Sequence, residues 1–534
     1  MRRRPPIVSR SAAVFWAMLL VALAIRLAAM TGHSLWADEF FSLAIATGHS
    51  VEHPAERANA SLGDYVEPKT PVPPSVLKGY LDHDRPPAGM RRVWRATLLS
   101  DTSPPLYYLL LNVWTRIWGT SDAALRGLSL VASLAAMPLI ARVVRRLGGR
   151  RAVPLSLALY ALAPASVHFS TEGRMYSLLW LIATAQALAT LRLRQCPGKR
   201  GREWIAWGAL GAAGLLTHYF YAFPLIAFAL WLALQRRHVP PARLVLALGF
   251  CLALVSAWYV EVPTSMSQWR VTKGWLDGLP NFWGMLRAPL GLGASYFSLP
   301  GRAGPEAEWL HRFVLAVFAL LAVSLFASRF RRALIFGGLW LGSACLGPII
   351  FDLLQNSHAV LIPRYALAGL PGAMIVAGVA LAGLPRRASV PILGLIIGIW
   401  TPALVTISSF GPGSGASVRQ VAEELDSRLG AEDLVIISSI PASAAGLARY
   451  LRGPALVFPW TERLRESVSL CQLEDAVSGH VKGALVRIHG GPGPKRAIAW
   501  LEQNSVNREH WLPSRGSAEI VFFQVQSDRA PACR

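Results

Sequence analysis

The chain is short of charge. Of its 534 residues only 16% are Asp, Glu, Lys or Arg, while 53% are hydrophobic. A soluble globular chain carries about 25% charged residues, so this shortfall excludes a soluble enzyme with a merely apolar core. Acids are the scarcer sign: 30 Asp and Glu stand against 53 Lys and Arg, a formal net charge of +23. Such a balance can signal nucleic acid. Here the basic residues sit in short clusters between apolar runs, and aromatic-rich basic patches are absent, so no nucleic-acid partner is expected. Cysteine motifs are missing too. The five cysteines form no Cys-x-x-Cys and no metal-ligand spacing. Cys251 and Cys345 fall in apolar runs, while Cys471 and Cys533 lie where an extracytoplasmic setting would permit a disulfide. Gly490-Gly-Pro-Gly-Pro494 lacks the Lys-Ser/Thr ending of a phosphate loop, and its prolines remove backbone donors. There is no long internal repeat.

Apolar runs of bilayer-crossing length are what the sequence has in abundance. They cover about 11–31, 125–145, 152–168, 174–191, 204–217, 219–234, 243–261, 310–327, 333–351, 364–384 and 389–408. The links between them alternate. Arg142 to Arg151, Arg192 to Arg202, Arg236 to Arg243, Arg329 to Arg332 and Arg386-Arg387 are basic. Ser170 to Arg174, Thr217-His218-Tyr219, 262–308 and Asp352 to Pro363 hold few positive charges. This is the positive-inside pattern, which places the basic links in the cytoplasm. Met1-Arg-Arg-Arg4 before the first run reads as an uncleaved signal anchor with a cytoplasmic N-terminus.

Parity settles two ambiguous stretches. Arg-rich links flank 204–234 on both sides, so it must cross an even number of times, as a tight pair turning near His218. Counting Pro105 to Gly119 as a span would invert every later basic loop, so it is expected to lie on the outer surface as an interfacial helix. The expectation is a polytopic α-helical protein of about eleven spans, in the plasma (inner) membrane, with a transmembrane domain over 1–408. Residues 32–124 would form a large first outer loop, structured by its Trp, Tyr and Pro content. After the linker Gly411-Pro-Gly-Ser-Gly415, residues 409–534 read as an extracytoplasmic α/β domain. Helix-like stretches at Val418–Leu429 and Ala442–Leu451 alternate there with strand-like ones near 433–438, 455–458, 484–488 and 519–525, suggesting a largely parallel sheet.

Ionisable groups at the edge of a membrane bundle are costly and usually functional. Four places stand out on the outer side. Asp38 and Glu39, between Trp36 and Phe40, suit either a helix N-terminus or a general base partly out of water. Asp101 precedes Ser103-Pro104-Pro105, where it can cap a turn, and Tyr107-Tyr108 follow. Glu172 and Arg174 flank Gly173 at a helix start, where they can also form a simple surface pair. His358 and Arg364-Tyr365 lie at an outer helix end, where Arg runs against the positive-inside bias. His218 caps the expected hairpin and reads as structural as readily as functional. Acids with arginines, His and Tyr suit a reaction that needs a base for a hydroxyl and cations for a leaving phosphate.

At these motifs the chain resembles the GT-C class of membrane glycosyltransferases, in particular the protein-mannosyltransferase superfamily and its bacterial dolichyl-phosphate-mannose-type relatives. The likeness is carried by Trp36-Ala-Asp-Glu39, Asp101-Thr-Ser-Pro-Pro-Leu-Tyr-Tyr108, Thr171-Glu-Gly-Arg-Met-Tyr176, Thr217-His-Tyr-Phe220 and Pro363-Arg-Tyr365, over about residues 10–385. It implies an inverting transfer of a sugar from a polyprenyl-phosphate donor to an envelope glycan, lipid or protein acceptor outside the membrane. It implies Asp38 as general base, with Glu39 orienting the acceptor or holding the base. Arg174, Arg364 and Tyr365 would bind the donor phosphate, and Asp101, Tyr107, Glu172 and His218 would line the substrate pocket. Relatives often carry His or Lys before the paired prolines, where this chain has Ser103; Arg91, Arg92 or Arg95 are candidate substitutes. No metal or other cofactor is expected, the lipid-linked sugar being a substrate. The competing readings are a transporter or flippase of polyprenyl-linked sugars, which would place ionisable residues at mid-span, where few occur and Arg26 of the first span is read near its outer end, and a membrane scaffold that presents the C-terminal domain.

Overall fold

The computed structural model describes residues 10–51, 58–100, 103–195, 201–235, 239–266, 276–298, 330–410, 417–461, 468–488, 495–513 and 518–526, with 316 and 319. Asp101, Cys533, the 411–415 linker, the 490–494 stretch and all but two residues of the 310–327 run lie outside them. The chain divides into two compact units, one of Met1–Gly32, Arg126–Val260 and Gly274–Pro412, the other of His33–Leu125, Glu261–Lys273 and Gly413–Arg534.

The first unit is built of apolar helices. Among the described residues seven are long and apolar enough to cross a membrane: Ala12–Thr31, Asp122–Leu147, Tyr176–Arg194, Pro241–Thr264, Arg331–Gln355, Pro363–Gly383 and Arg386–Ser408. An eighth arises if Ala152–Leu162 and Pro164–Ser170, bent by 58°, count as one span. The count of eleven is therefore not confirmed among the described residues. The pair expected around His218 is present as Gly201–Leu215 and Ala222–Ala233, joined by a 3-10 turn at Tyr219–Tyr221, but both helices are short. The bend at 163 follows from Pro164, which has no N–H to donate and pushes Ala163 out of helical geometry, to ψ 127°. Outward faces are apolar, with Leu246, Leu354 and Val260 all more than 70% exposed, as a lipid-facing surface requires. Helices approach closely where side chains are small: a Cβ on Gly378 would lie 2.6 Å from the Ser156 backbone nitrogen.

The second unit contains the long loop after the first helix and the C-terminal domain. Helices Ala37–Thr47, Met90–Ser100 and Leu106–Trp118 structure the loop, as its aromatic content suggested. The last of these is a 13-residue helix over the stretch read as interfacial. It buries Tyr107, Tyr108, Leu111 and Thr115 and exposes Leu110, Val113, Ile117 and Trp118, an apolar stripe at helical spacing. The C-terminal sheet comprises β1 Leu434–Ser439, β2 Leu456–Thr461, β3 Lys482–Arg487, β4 Ser505–Trp511 and β5 Glu519–Val525, in the order β2-β1-β3-β5-β4. Only β2-β1-β3 is parallel; β5 runs antiparallel to β3, and β4 antiparallel to β5. The expectation of a largely parallel sheet thus holds for half of it. Strand β4 is an exposed, polar edge strand without an apolar pattern, so nothing in hydropathy marks it. At the opposite edge Val72 of the outer loop exchanges two backbone hydrogen bonds with Val457 on β2 (2.9 and 2.8 Å), covering that edge. Cys471 is disulfide-bonded, while Cys251 and Cys345 are free and buried.

Candidate functional site

In the transmembrane unit three of the sequence motifs converge. Pro363–Gly369 is a 3-10 segment rather than the first turn of an α-helix. Its carbonyls are met one after another by aromatic donors: Tyr296 Oη bonds Ala366 O (2.5 Å), Trp180 Nε1 bonds Leu367 O (2.9 Å) and Trp340 Nε1 bonds Ala368 O (2.8 Å). Each is a buried neutral hydrogen bond that leaves no acceptor stranded. Together they hold the segment that presents Arg364 and Tyr365. Phe220 stacks on the Tyr365 ring at 4.8 Å with 10° between planes, and the Arg364 guanidinium sits 5.8 Å from the same ring.

His218 stands between the motifs. Its ring is 6.0 Å from Tyr365 and 6.4 Å from Tyr176. Its Nδ1 accepts the Phe220 backbone N–H at 3.2 Å, which leaves Nε2 to carry the proton in the neutral ring. The 171–176 stretch follows the end of the bent span. Glu172 and Arg174 are both nearly fully buried, so they are no solvated surface pair. Glu172 Oε1 lies 3.3 Å from His168 Nε2, one helical turn earlier, and the Arg174 carbonyl accepts from Ser129 Oγ at 2.8 Å. His168 belongs to the apolar 152–168 run and was not singled out from the sequence; the His-x-x-x-Glu spacing was the available signal. His358 lies beside this region, its N–H bonded to Leu276 O.

The acid pair lies in the second unit, in the first turn of Ala37–Thr47. Glu39 is fully buried, and its Oε2 accepts the Trp36 N–H at 3.3 Å, so its carboxylate closes the helix start as one half of a capping box. Asp38 is half-buried, and its carbonyl accepts from Ser42 Oγ at 3.0 Å. The helix ends at Gly48, whose φ of +91° suits glycine and whose missing Cβ leaves room for Ala88. Tyr107 and Tyr108 are fully buried, with rings 5.8 Å apart, and Asn112 on the same helix donates to Ala46 O at 2.7 Å. Arg92 and Arg95, the candidate substitutes for the cation missing at Ser103, are engaged with Asp84 (2.7 Å) and Asp64 (2.5 and 2.8 Å). Among the described residues no three His, Cys, Asp or Glu side chains are grouped so as to hold a metal ion.

Residues 102–260 match the family described as dolichyl-phosphate-mannose-protein mannosyltransferase, a stretch that includes the Tyr107-Tyr108, Thr171–Tyr176 and Thr217–Phe220 motifs. None of the curated proteins matches the chain in sequence. Among solved structures, apo ArnT from Cupriavidus metallidurans is similar with a TM-score of 0.56 at 14% identity, covering 97% of this chain and 100% of that one. ArnT from the same organism bound to undecaprenyl phosphate gives 0.55 at 15% identity, over 97% of this chain and 99% of that one. The Archaeoglobus fulgidus oligosaccharyltransferase tethered with an acceptor peptide gives 0.46 at 10% identity, over 98% and 74%. The likeness to ArnT shows the fold alone: a bundle of apolar helices with a small C-terminal sheet domain, arranged as in ArnT.

Proposed function

With a GT-C fold as the premise, we propose that the protein is a glycosyltransferase that moves a sugar from a polyprenyl-phosphate donor to an acceptor hydroxyl, on the extracytoplasmic side and with inversion. The observation that carries this reading is the convergence of Tyr176, His218, Phe220 and Tyr365, with Arg364 against the Tyr365 ring, from three motifs far apart in sequence. A structure of similar fold holds undecaprenyl phosphate, which supports the donor class. The envelope acceptor is a glycan, lipid or protein.

In this reading the Asp38 carboxylate takes the proton of the acceptor hydroxyl. The acceptor oxygen attacks the anomeric carbon, and the bond from that carbon to the phosphate oxygen breaks, its electron pair leaving with the lipid phosphate. Glu39, locked into the helix start, holds the turn that presents Asp38. Arg174 and Arg364, whose planar forks match phosphate oxygens, take up the developing charge with Tyr365. Glu172 and His218 are assigned to the substrate site with Tyr176, and Asp101 and Tyr107 keep the substrate-contacting part that the resemblance implies. The chain needs no metal, its N-terminus is cytoplasmic, and its C-terminal domain lies outside the plasma membrane.

Arg26 would favour a transporter if it faced a pathway. It is instead fully buried, and it donates to Ala161 O (2.9 Å), Tyr160 O (3.4 Å), Ser166 Oγ (2.9 Å) and Ser133 Oγ (3.2 Å). The test is to incubate purified protein with radiolabelled polyprenyl-phosphate sugars, an envelope extract and EDTA. Label moving to a new acceptor, with free lipid phosphate released, supports the transferase. Label that stays on the lipid, or crosses a vesicle unchanged, contradicts it.

A further inference from the structure

The C-terminal domain holds the polypeptide on either side of the acid pair. Its helix Pro441–Tyr450 ends in Tyr450, whose hydroxyl accepts the Leu35 N–H at 2.8 Å and donates to Asp122 Oδ2 at 2.7 Å. Burial, reinforced by the Asp122 charge, raises the Tyr450 pKa far above its ordinary value, so the hydroxyl keeps the proton it donates. Arg449 adds two bonds to Asp122 Oδ1 (3.0 and 3.1 Å) and one to Thr120 O (2.5 Å). Arg419 reaches Asp122 Oδ2 at 3.2 Å and lies 5.2 Å from the Tyr450 ring.

Downstream of the acids the same helix presses on Phe40. The Tyr450 ring meets Phe40 edge-on at 6.5 Å, and a Cβ on Gly446 would lie 2.2 Å from Phe40 Cε2. Leu35 and Phe40, both buried, thus bracket Trp36 to Glu39, and both touch one residue of the C-terminal domain. A cap that merely shields the outer loop has no need of contacts on both sides of two carboxylates.

We propose that Tyr450 is a positioning residue for the transfer reaction: through Leu35 and Phe40 the C-terminal domain sets the backbone that carries Asp38. This rests on the transferase reading above. It assigns the domain a part in turnover beyond structural support or acceptor recognition. Tyr450→Phe removes one hydroxyl while leaving the ring on Phe40 and Arg449 and Arg419 on Asp122.

In the purified full-length protein, Tyr450→Phe is expected to lower turnover of a radiolabelled polyprenyl-phosphate sugar about ten-fold, the scale of a sub-ångström misplacement. The donor KM should stay within about two-fold, as an effect on the reacting geometry alone requires. Hydrogen exchange at the Leu35 amide should quicken. Gly446→Ala, which pushes on Phe40 without touching a hydrogen bond, should act in the same direction. Glu509→Gln on the far edge strand should leave turnover unchanged. Wild-type turnover in Tyr450→Phe and Gly446→Ala, with Leu35 exchange quickened, overturns the inference and leaves the transferase reading standing. A loss explained by an equal rise in donor KM, or by less folded protein, contradicts it as well. No transfer by the wild type overturns the transferase reading, and this inference falls with it.

Discussion

The two units of the chain satisfy buried charge in different ways. In the transmembrane unit Arg26 and Asp352 are met largely by backbone. The Tyr160 carbonyl would normally receive the N–H of residue 164, but that residue is a proline, and the Arg26 guanidinium takes its place. Asp352 is likewise fully buried at a span's end and accepts the Ala359 and Val360 N–H groups (2.7 and 2.8 Å) and the Ser357 hydroxyl (2.5 Å). In the second unit charge meets charge: Asp64 with Arg95, Asp84 with Arg92, Asp122 with Arg449 and Arg419. A membrane helix offers polar partners only where its backbone is broken, so a buried charge there is tied to a break. Loops facing water bring side chains together freely. His168 and Glu172 depart from the pattern of their unit, and they lie in the motif that joins the candidate site.

That contrast predicts effects of graded size. Arg26→Ala leaves two carbonyls without donors in an apolar surround and should destabilise the protein by about 3 kcal/mol, read as a fall in unfolding temperature in detergent. Arg26→Lys should recover only part, since one ammonium cannot serve both carbonyls and both hydroxyls. An unchanged unfolding temperature would erase the distinction. Arg95→Ala, which strips the bidentate partner from a fully buried Asp64, should cost less, about 2 kcal/mol, because Arg95 is partly solvated. The smallest effect is on acidification. Burial lowers the His49 pKa, with Asp84 opposing it in part, and burial lowers that of His83. For each, the unfolded chain binds the proton at higher pH than the folded one. The stability held by the neutral rings is full above the ordinary histidine value of about 6.5 and is lost as pH falls below it. His49→Gln should flatten that dependence in a pH series of unfolding temperatures.

Much of this architecture was legible before the structure, and what was legible has a physical reason. Alternating basic links announced the pair of helices around His218, because charge cannot cross a bilayer unnoticed. Motif residues such as Tyr176, His218 and Tyr365 announced themselves as polar groups where polarity is costly. The span count is not confirmed where helices are short or bent, since hydropathy measures run length and not geometry, and the 310–327 run lies almost wholly outside the described residues. Strand β4 was missed because an edge strand facing water has no apolar period. Asp122 passed unnoticed because its partners lie about 300 residues away, at Arg419, Arg449 and Tyr450, and no local pattern records such a pairing. His168 was hidden inside an apolar run.

At the centre of the proposed function is Asp38, acting as the general base of sugar transfer from a polyprenyl-phosphate donor. This role is tested most directly by measuring undecaprenyl-phosphate binding and sugar turnover together in Asp38→Asn. The expected result is donor-lipid affinity within about two-fold of wild type and turnover lowered by at least about 100-fold, the scale of a lost general base. Turnover equal to wild type would remove Asp38 as the base and contradict the account.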